Sequence, residues 1–375
     1  MKANPPKATS GDMRAEASAQ VEERLKAIVE EIYESIEHVQ VPFMTLPART
    51  KNNIVFSKEF HVWKYGRLRT KRSARELTGA YGLIRTLYLV EFIRTMIEQN
   101  KSSTLREMYY ISEGWNLAKF HQQDESNRLA EDLEIVTLAL REDFKLRPEE
   151  DGARVLGNLT LEETNRKGAK KRINCRDDVG DSGYGIPYNV EREKIKFLDV
   201  DADFVVAIET GGMFDRLVEN GFDEDSRAVL VHLKGQPARS TRRFLKRLNE
   251  EKGLPVIVFT DGDPWSFRIY ASVAYGAIKT AHLSEYLATP TAQFLGVTPS
   301  DIVNYDLPSD KLTDKDVQAL NAELTDPRFK DNFWQDEIKL QLEMGKKSEQ
   351  QALAKYGLDF VTDRYMPEKL AEMGF

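Results

Sequence analysis

Cysteine is nearly missing from this sequence, because Cys175 is the single one among 375 residues. One cysteine excludes an intrachain disulfide framework and a cysteine-rich metal site. Long hydrophobic runs are missing too, since no window of about 18 apolar residues could span a bilayer. The first residues, MKANPPKATSGDMRAEAS, contain no hydrophobic stretch of the kind found in a signal peptide. We therefore expect a cytoplasmic protein without a membrane partner.

Two further absences concern ligands. No segment matches GxxxxGK[ST], the loop that cradles the phosphates of ATP, so this chain is not expected to bind ATP in that way. The histidines show no metal-ligand spacing; they are His38, His61, His121, His232 and His282. His232 lies in an apolar run and is expected to be a hydrogen-bonded core residue.

Charge of both signs is present, but it is spread unevenly. The net charge is −7, yet residues 49–75 contain nine Lys or Arg against one acid, Glu59. A solvated face is the more common reason for such a run. The alternative is a phosphate-binding strip interleaved with Phe60, Trp63 and Tyr65.

The length predicts two or three domains in a multidomain α/β chain. We place an N-terminal extension at 1–75, with a polar start at 1–12 expected to be disordered, an amphipathic helix within 13–38, and the basic stretch. Residues 76–150 are mostly helical. Three helices followed by a hairpin turn at Asp151-Gly152 are typical of a winged-helix (CAP-like) DNA-binding domain.

Residues 151–375 change to short β-branched runs that alternate with helical stretches. The runs FVVAIET (204–210), RAVLVHL (227–233) and LPVIVFT (254–260) predict a parallel sheet flanked by helices. Ligands of such sheets bind beyond the carboxyl ends of the strands. Glu209, Lys234, Asp261 and Asp263 all fall there.

The acids at these strand ends predict a cation site. Asp261 and Asp263 flank one glycine directly after a buried strand, and carboxylates that close together either raise one pKa or recruit a cation. With Glu209 they make three hard oxygen ligands of the type that Mg²⁺ prefers. The simpler interpretation, Asp263 as N-cap of a helix beginning at Pro264, leaves Asp261 and Glu209 unexplained.

A short helix is predicted in STLREMYYISEG, where Thr104 and Glu107 fit a capping box. Arg106 and Tyr110 are four residues apart and share a face, so guanidinium and phenol could converge on one phosphate. Tyr109 is three residues from Arg106, and geometry does not choose between the two tyrosines. A tyrosine pair on a helix is more often core packing.

The glutamate ending one strand and the Asp-x-Asp ending the next but one resemble the Toprim domain. Together with the Arg-x-x-aromatic-Tyr helix, the chain resembles the A subunit of DNA topoisomerase VI and its eukaryotic relatives that make meiotic double-strand breaks. The resemblance continues through GDSGYGIPYNV (180–190), IETGGMFDRL (208–217), LKGQPARSTRRFLKRL (233–248), AHLSEYLATP (281–290), FLGVTPSDI (294–302) and KKSEQQALAKYGLDFVTDRYMPEKL (346–370). Residues 151–375 would then be a Toprim metal-binding domain with a C-terminal extension.

The resemblance implies roles for five residues. Tyr110 would be the nucleophile that forms a 5′-phosphotyrosyl link, and Arg106 its assisting cation. Glu209, Asp261 and Asp263 would hold Mg²⁺. In DGDPWSFRIY, Trp265 and Ser266 stand where the family commonly has Tyr-Gly, which leaves the acids intact.

The resemblance also implies partners. A double-strand break needs two tyrosines, so we expect a homodimer on double-stranded DNA, with each tyrosine working at the metal site of the other protomer. A separate ATPase B subunit would bind the ATP and complete a heterotetramer associated with the nucleoid. Ile28, Ile32 and Ile36 of the N-terminal helix could dock that ATPase or pack within the chain.

For contact with the DNA backbone we expect Lys234, Arg239 and Arg242, together with the basic stretch at 64–75. Two other functions stay open from the sequence. One is a Toprim nuclease that hydrolyses DNA without a covalent intermediate, and the other is a winged-helix DNA-binding scaffold without catalysis.

Overall fold

The computed structural model describes residues 20–147 and 153–375. The α-helices are α1 (Val21–Glu37), α2 (Leu77–Glu98), α3 (Leu105–Ile111), α4 (Gln123–Thr137), α5 (Gly211–Glu219), α6 (Phe222–Asp225), α7 (Arg239–Lys252), α8 (Pro264–Tyr275), α9 (Ala281–Leu287), α10 (Pro299–Asn304), α11 (Asp314–Glu323), α12 (Asn332–Met344) and α13 (Met366–Met373). The strands are β1 (Phe43–Pro47), β2 (Ile54–Ser57), β3 (Val62–Tyr65), β4 (Arg69–Ser73), β5 (Ser103–Thr104), β6 (Leu146–Arg147), β7 (Arg154–Leu156), β8 (Leu159–Thr164), β9 (Lys170–Asn174), β10 (Tyr184–Gly185), β11 (Ile195–Val200), β12 (Phe204–Ile208), β13 (Ala228–His232), β14 (Val256–Phe259), β15 (Gln293–Gly296), β16 (Asp310–Lys311) and β17 (Lys346–Lys347). Among the described residues, none of the helices combines the length and the hydrophobicity that a membrane span requires.

Some expectations fall outside the described residues. They are the disorder of residues 1–12, the part of the N-terminal helix before residue 20, and the turn at Asp151-Gly152. The described residues divide into two compact units, one made of 20–55 with 63–147, the other of 56–62 with 153–375.

The first unit has a core formed by α1, α2, α3 and α4 with β1. The apolar face of α1 contributes Val21, Leu25, Ile28 and Ile32 to this core, while Ile36 is 53% exposed. A helix buries such a stripe because the residues recur on one face. Ile28 and Ile32 therefore pack within the chain, and of the three isoleucines only Ile36 is left for a partner.

The three helices expected between 76 and 150 are present as α2, α3 and α4. The turn of the hairpin expected to follow them lies outside the described residues, and the described strands on either side of it pair with different partners. β6 pairs with β5 in parallel, whereas β7 pairs with β13 and β10.

The second unit is built on a sheet whose described strands follow the order β10-β7-β13-β12-β14-β15. β13, β12, β14 and β15 run parallel, as the sequence predicts, and β7 lies antiparallel beside β13. Side chains along β12 alternate between two cores: Val205 and Ala207 face one core with α7 and α8, Val206 and Ile208 the other with α5 and α13. The sheet is therefore covered by helices on both faces.

The strand order creates one natural binding crevice. The chain leaves β12 for β13 on one side, whereas β14 lies on the other side of β12 and leads on to β15. Connections that depart in opposite directions leave a gap at the carboxyl ends of the two central strands. Glu209 follows β12 and Asp261 follows β14, so this gap is where the predicted acids lie.

Candidate functional site

Glu209 and Asp261 are brought together at the end of the parallel sheet. The Asp261 N–H donates a hydrogen bond to Glu209 Oε2 at 3.1 Å. The Glu209 N–H in turn donates to the Phe259 carbonyl at 3.0 Å, which continues the pairing of β12 with β14. Both acids are partly buried. The two carboxyl groups expected to act together are thus neighbours in the fold.

Asp263 begins the next helix. Its Oδ1 accepts the Ser266 N–H at 2.8 Å, and Pro264 occupies the first turn of α8. This is the N-cap arrangement that the sequence offers as the simpler interpretation. The cap accounts for one oxygen of Asp263 and leaves its second oxygen for another contact.

Burial and like charge perturb this acid cluster. Burial is the main cause that raises the pKa of Asp261 to about 7, and repulsion from Glu209, Asp263 and Glu349 adds to it. The pKa of Glu209 is also raised, mainly by burial and further by Asp263. The acids respond to one another as a coupled group, so a bound cation would relieve an existing electrostatic cost.

A segment far along the chain clamps the Asp-Gly-Asp loop. The Gly262 N–H donates to the Ser348 carbonyl at 2.8 Å, and the Gln350 N–H donates to Asp261 Oδ1 at 2.8 Å. The fully buried Gln341 donates its side-chain amide to the Gly262 carbonyl at 2.7 Å. The loop is held by a frame of hydrogen bonds from residues 341–350.

A cation of the same frame lies near the third acid. The pKa of Lys347 is raised chiefly by its hydrogen bond to Asp316, and the charge of Asp263 raises it further. Lys347 Nζ lies 2.9 Å from Asp316 Oδ2, so its strongest partner is Asp316. The lysine therefore offsets only part of the negative charge of the acid cluster.

One residue of this frame contacts the ends of both β12 and β14. Gln350 is fully buried, and its Oε1 accepts the Thr210 hydroxyl at 3.0 Å, next to Glu209. Its backbone N–H is the donor to Asp261. Sequence reasoning missed the frame because its contacts join residues 79 to 140 positions apart, and no local pattern predicts such contacts.

A divalent cation would have to fit this geometry. Within residues 20–147 and 153–375, no group of three or more His, Cys, Asp or Glu side chains is arranged so that it could hold a metal ion. One oxygen each of Glu209, Asp261 and Asp263 accepts a backbone N–H. The ligand type nevertheless fits Mg²⁺, because three carboxylates follow the carboxyl ends of β12 and β14.

The two tyrosines of α3 have different surroundings. The capping box of Thr104 and Glu107 begins α3 as predicted. Tyr109 packs against the core of the first unit and donates its hydroxyl to the His121 carbonyl at 3.5 Å. Tyr110 is 59% exposed, and its hydroxyl bonds to no described residue. The structure thus distinguishes two tyrosines that spacing leaves equivalent, and Arg106 is exposed on the same helix.

The basic residues chosen for DNA contact have different surroundings. Lys234 is exposed after β13, and Arg239 is the half-buried first residue of α7. Arg242 is only 8% exposed and donates to the Ser272 hydroxyl at 3.3 Å, which argues against direct contact with a DNA backbone. In the 64–75 stretch, part of the charge is compensated, because Arg72 forms an ion pair with Asp132.

His232 is buried, as expected, and its ring packs against an aromatic side chain. Its ring lies 5.8 Å from the Phe214 ring between centroids, and its nitrogens bond to no residue in the described part of the chain. Burial, followed by the nearby charge of Arg154, lowers the pKa of His232.

Comparison with family models matches three consecutive regions. Residues 82–146 match "Type IIB DNA topoisomerase" and residues 149–201 match "All-beta domain in DNA topoisomerase VI alpha subunit". Residues 204–370 match the Toprim domain of the topoisomerase 6 A-chain and Spo11 family. The last match includes all three acids, and the first includes the tyrosine helix.

Comparison with curated proteins finds relatives along nearly the whole chain. A protein of Archaeoglobus fulgidus, named as the A subunit of type 2 DNA topoisomerase 6, is 62% identical over 350 residues, 93% of this chain and 96% of the relative. Proteins of the same name from Natronomonas pharaonis and Methanosarcina mazei are 57% and 56% identical. They cover 94% and 97% of this chain, and 95% and 98% of their own lengths.

Proposed function

The chain belongs to the family of type 2 DNA topoisomerase 6 A subunits, and from that membership we propose how its two units cleave and rejoin duplex DNA. It is the DNA-cleaving subunit of a type IIB DNA topoisomerase, an isomerase. The single observation that carries the chemical proposal is the exposed Tyr110, whose hydroxyl has no acceptor or donor among the described residues.

Tyr110 is the nucleophile in this proposal. Its Oη attacks the phosphorus of a backbone phosphodiester and forms a 5′-phosphotyrosyl bond, while the bond from phosphorus to the 3′ oxygen breaks. The phenol proton is balanced by the proton gained on the released 3′-hydroxyl. Because one phosphoester replaces another, the reverse attack rejoins the strand without an external energy source.

Arg106 assists Tyr110 from the same face of α3. Residues four apart on a helix are neighbours, so the guanidinium can contact the phosphate that the phenol attacks. An arginine there stabilises negative charge that develops on the phosphate oxygens. Within the described chain Arg106 has no ion pair that would hold it elsewhere, which supports this role.

Glu209, Asp261 and Asp263 would hold Mg²⁺ in the proposal. The cation, when bound, supplies positive charge that stabilises the attacked phosphate. The chain's own contribution is to hold the acids in place. β12 and β14 end beside each other and so bring Glu209 and Asp261 together, and Ser348 and Gln350 anchor the loop that contains Asp261.

The proposed assembly has more than one chain. Cleavage of both strands needs two tyrosines, so we propose a two-fold symmetric homodimer on double-stranded DNA, each Tyr110 acting at the acid site of the partner. ATP would be bound by a separate B subunit in a heterotetramer, because this chain has no GxxxxGK[ST] loop. Lys234, Arg239 and the 64–75 stretch are the proposed DNA-backbone contacts.

A denaturant trap tests the nucleophile. The chain and its ATPase partner are incubated with end-labelled duplex DNA and Mg²⁺, and denaturant is added during cleavage. We expect label on the wild-type protein and on Tyr109→Phe, and none on Tyr110→Phe. The matched pair differs only in which phenol is removed.

Other outcomes of the trap identify other functions. Cleavage without any protein-linked label would favour a Toprim nuclease. Label lost in Tyr109→Phe and kept in Tyr110→Phe would show that the wrong phenol is proposed. DNA binding without cleavage under any condition would support a scaffold.

A further inference from the structure

The N-terminus of α5, directly after Glu209, is open. Its N-cap residue, Thr210, makes no capping bond, because its hydroxyl donates to Gln350 instead. The first turn of α5 has no acidic side chain. Among the described residues, the N–H groups of Gly211, Gly212 and Met213 have no acceptor. Free N–H groups at a helix start carry partial positive charge and favour an anion.

A buried histidine faces this helix start. A β-carbon added to Gly211 would lie 3.4 Å from Cε1 and 3.6 Å from Nε2 of His232. His232 is only 8% exposed, and its ring makes no hydrogen bond with the described chain. The imidazole therefore offers a further hydrogen-bonding group beside the open N–H groups of α5, and one external ligand can bond to both.

Arg154 adds positive charge at the same place. Its Nη2 would lie 3.9 Å from the added β-carbon of Gly211, and its guanidinium lies 4.9 Å from the Phe214 ring centroid. Nη2 also donates to Asp215 Oδ1 at 3.1 Å, and Asp215 is exposed. A guanidinium has five N–H donors, so this one bond leaves others for an anion.

The basic groups and the acids lie on opposite sides of β12. Arg154 of β7 pairs with His232 of β13, and His232 pairs with Ile208 of β12. On the other side, Glu209, which follows Ile208, accepts the Asp261 N–H. At this end of the sheet, basic side chains therefore lie on the β13 side of β12 and acidic side chains on the β14 side. The start of α5 lies between the two groups.

We propose that the start of α5, with His232 and Arg154, is a binding site for the non-bridging oxygens of a phosphodiester in the DNA backbone. The identity of the ligand rests on the proposed function. In that function the acids hold a cation at a DNA phosphate, so the neighbouring α5 site would contact the same DNA backbone. Backbone N–H groups, an imidazole and a guanidinium supply donors that suit a phosphate.

Two adjacent glycines provide a matched test. Gly211 lies outside the left-handed region of backbone conformation, so Gly211→Ala keeps the helix and adds one methyl group in the space between His232 and Arg154. The same change at Gly212 puts the methyl 3.5 Å from Gln351 Nε2, with no contact to the histidine or the arginine. Both variants keep the same N–H groups, and only Gly211→Ala fills the proposed site.

Binding is measured by fluorescence anisotropy with a labelled duplex, using the full chain alone and with its ATPase partner, over a series of salt concentrations. We expect Gly211→Ala to weaken binding about 10-fold and to lower the slope of log K against log salt by about one, as for one lost phosphate contact. Gly212→Ala should match the wild type. Arg154→Met, which leaves the backbone unchanged, should reproduce the effect of Gly211→Ala.

Inorganic phosphate is the second probe and distinguishes a DNA phosphate from a free one. We expect phosphate to raise the melting temperature of the wild type and of Gly212→Ala, and not that of Gly211→Ala. If phosphate stabilisation is lost in Gly211→Ala while duplex affinity and salt slope are unchanged, the site binds a small anion and the DNA assignment is overturned. Equal duplex binding by both alanine variants and Arg154→Met would overturn the site.

The α5 site and the proposed function can fail independently of each other. A wild-type adduct through Tyr110, combined with no difference between the two alanine variants, would leave the function intact and remove the α5 site. Loss of duplex affinity in Gly211→Ala alone, without any adduct in the wild type, would keep the site and remove the phosphotyrosyl mechanism.

Discussion

Replacing Asp261 by asparagine should stabilise the metal-free protein above neutral pH. The pKa of this carboxyl group is raised to about 7 from an ordinary value of 3.8. Below about pH 4 both the folded and the unfolded chain hold the proton. Between pH 4 and 7 only the folded chain holds it, so the stability of the wild type falls as pH rises, and above pH 7 the full cost of the charge is present.

The magnitude follows from the two proton affinities. A tenfold difference in proton binding is worth about 1.4 kcal/mol, so the separation corresponds to about 4 kcal/mol at most. Asp261 is partly solvated, and we expect Asp261→Asn to gain about 1–2 kcal/mol at pH 8, or about 1–3 °C in the melting temperature. Asparagine keeps an oxygen that can accept the Gln350 N–H.

The assay is thermal unfolding in a chelator at several pH values from 5 to 8.5. Asp336→Asn is the control, because Asp336 is an exposed carboxylate on α12 without a hydrogen bond or ion pair to a described residue. The gain of Asp261→Asn should shrink toward pH 5, and Mg²⁺ at pH 8 should stabilise the wild type more than the variant. A gain independent of pH, or no gain at pH 8, would refute the electrostatic account of the acid cluster.

Three other substitutions test the frame and the cores. Thr210→Val removes the hydroxyl bonded to Gln350, and we expect Mn²⁺ affinity, measured by electron paramagnetic resonance, to fall about 10-fold while Gln351→Ala changes it less. Gly79→Ala puts a β-carbon 1.9 Å from the Ser73 carbonyl oxygen and should lower urea stability by about 1–3 kcal/mol, whereas Gly114→Ala, with open space around it, should not. Arg247→Met removes a fully buried guanidinium that donates to the Val190 and Ile195 carbonyls, and it should lower the free energy of unfolding in urea by about 3–5 kcal/mol. A loss no larger than that of Arg192→Met, at an exposed arginine, would contradict this.

The sequence predicted the parallel part of the fold well, because strands buried on both faces leave uninterrupted apolar runs. FVVAIET, RAVLVHL and LPVIVFT correspond to β12, β13 and β14, and the acids follow from the rule that ligands lie beyond their carboxyl ends. The capping box at Thr104 was predictable for the same reason, since its residues are three apart and interact locally.

Long-range pairing was not predictable from local patterns. A turn dipeptide at Asp151-Gly152 indicated a hairpin, but β7 is paired by β13, more than 70 residues later, and not by its neighbour β6. Arg242 looked like a surface cation because composition does not report burial, and the fold buries several cations of α7. The choice between Tyr109 and Tyr110 likewise depended on packing against residues of other helices.

The frame that anchors the acidic loop also sets an order in time. Gln350 donates to Asp261 across 89 positions of the chain. At a ribosomal synthesis rate of about 5–20 residues per second, Gln350 is therefore added roughly 5 to 20 seconds after Asp261. A nascent chain can pair β12 with β14 during that interval, but it has neither Ser348 nor Gln350 to hold the turn. The acidic centre is therefore among the last parts of the molecule to be completed, and a growing polypeptide carries it only in unfinished form.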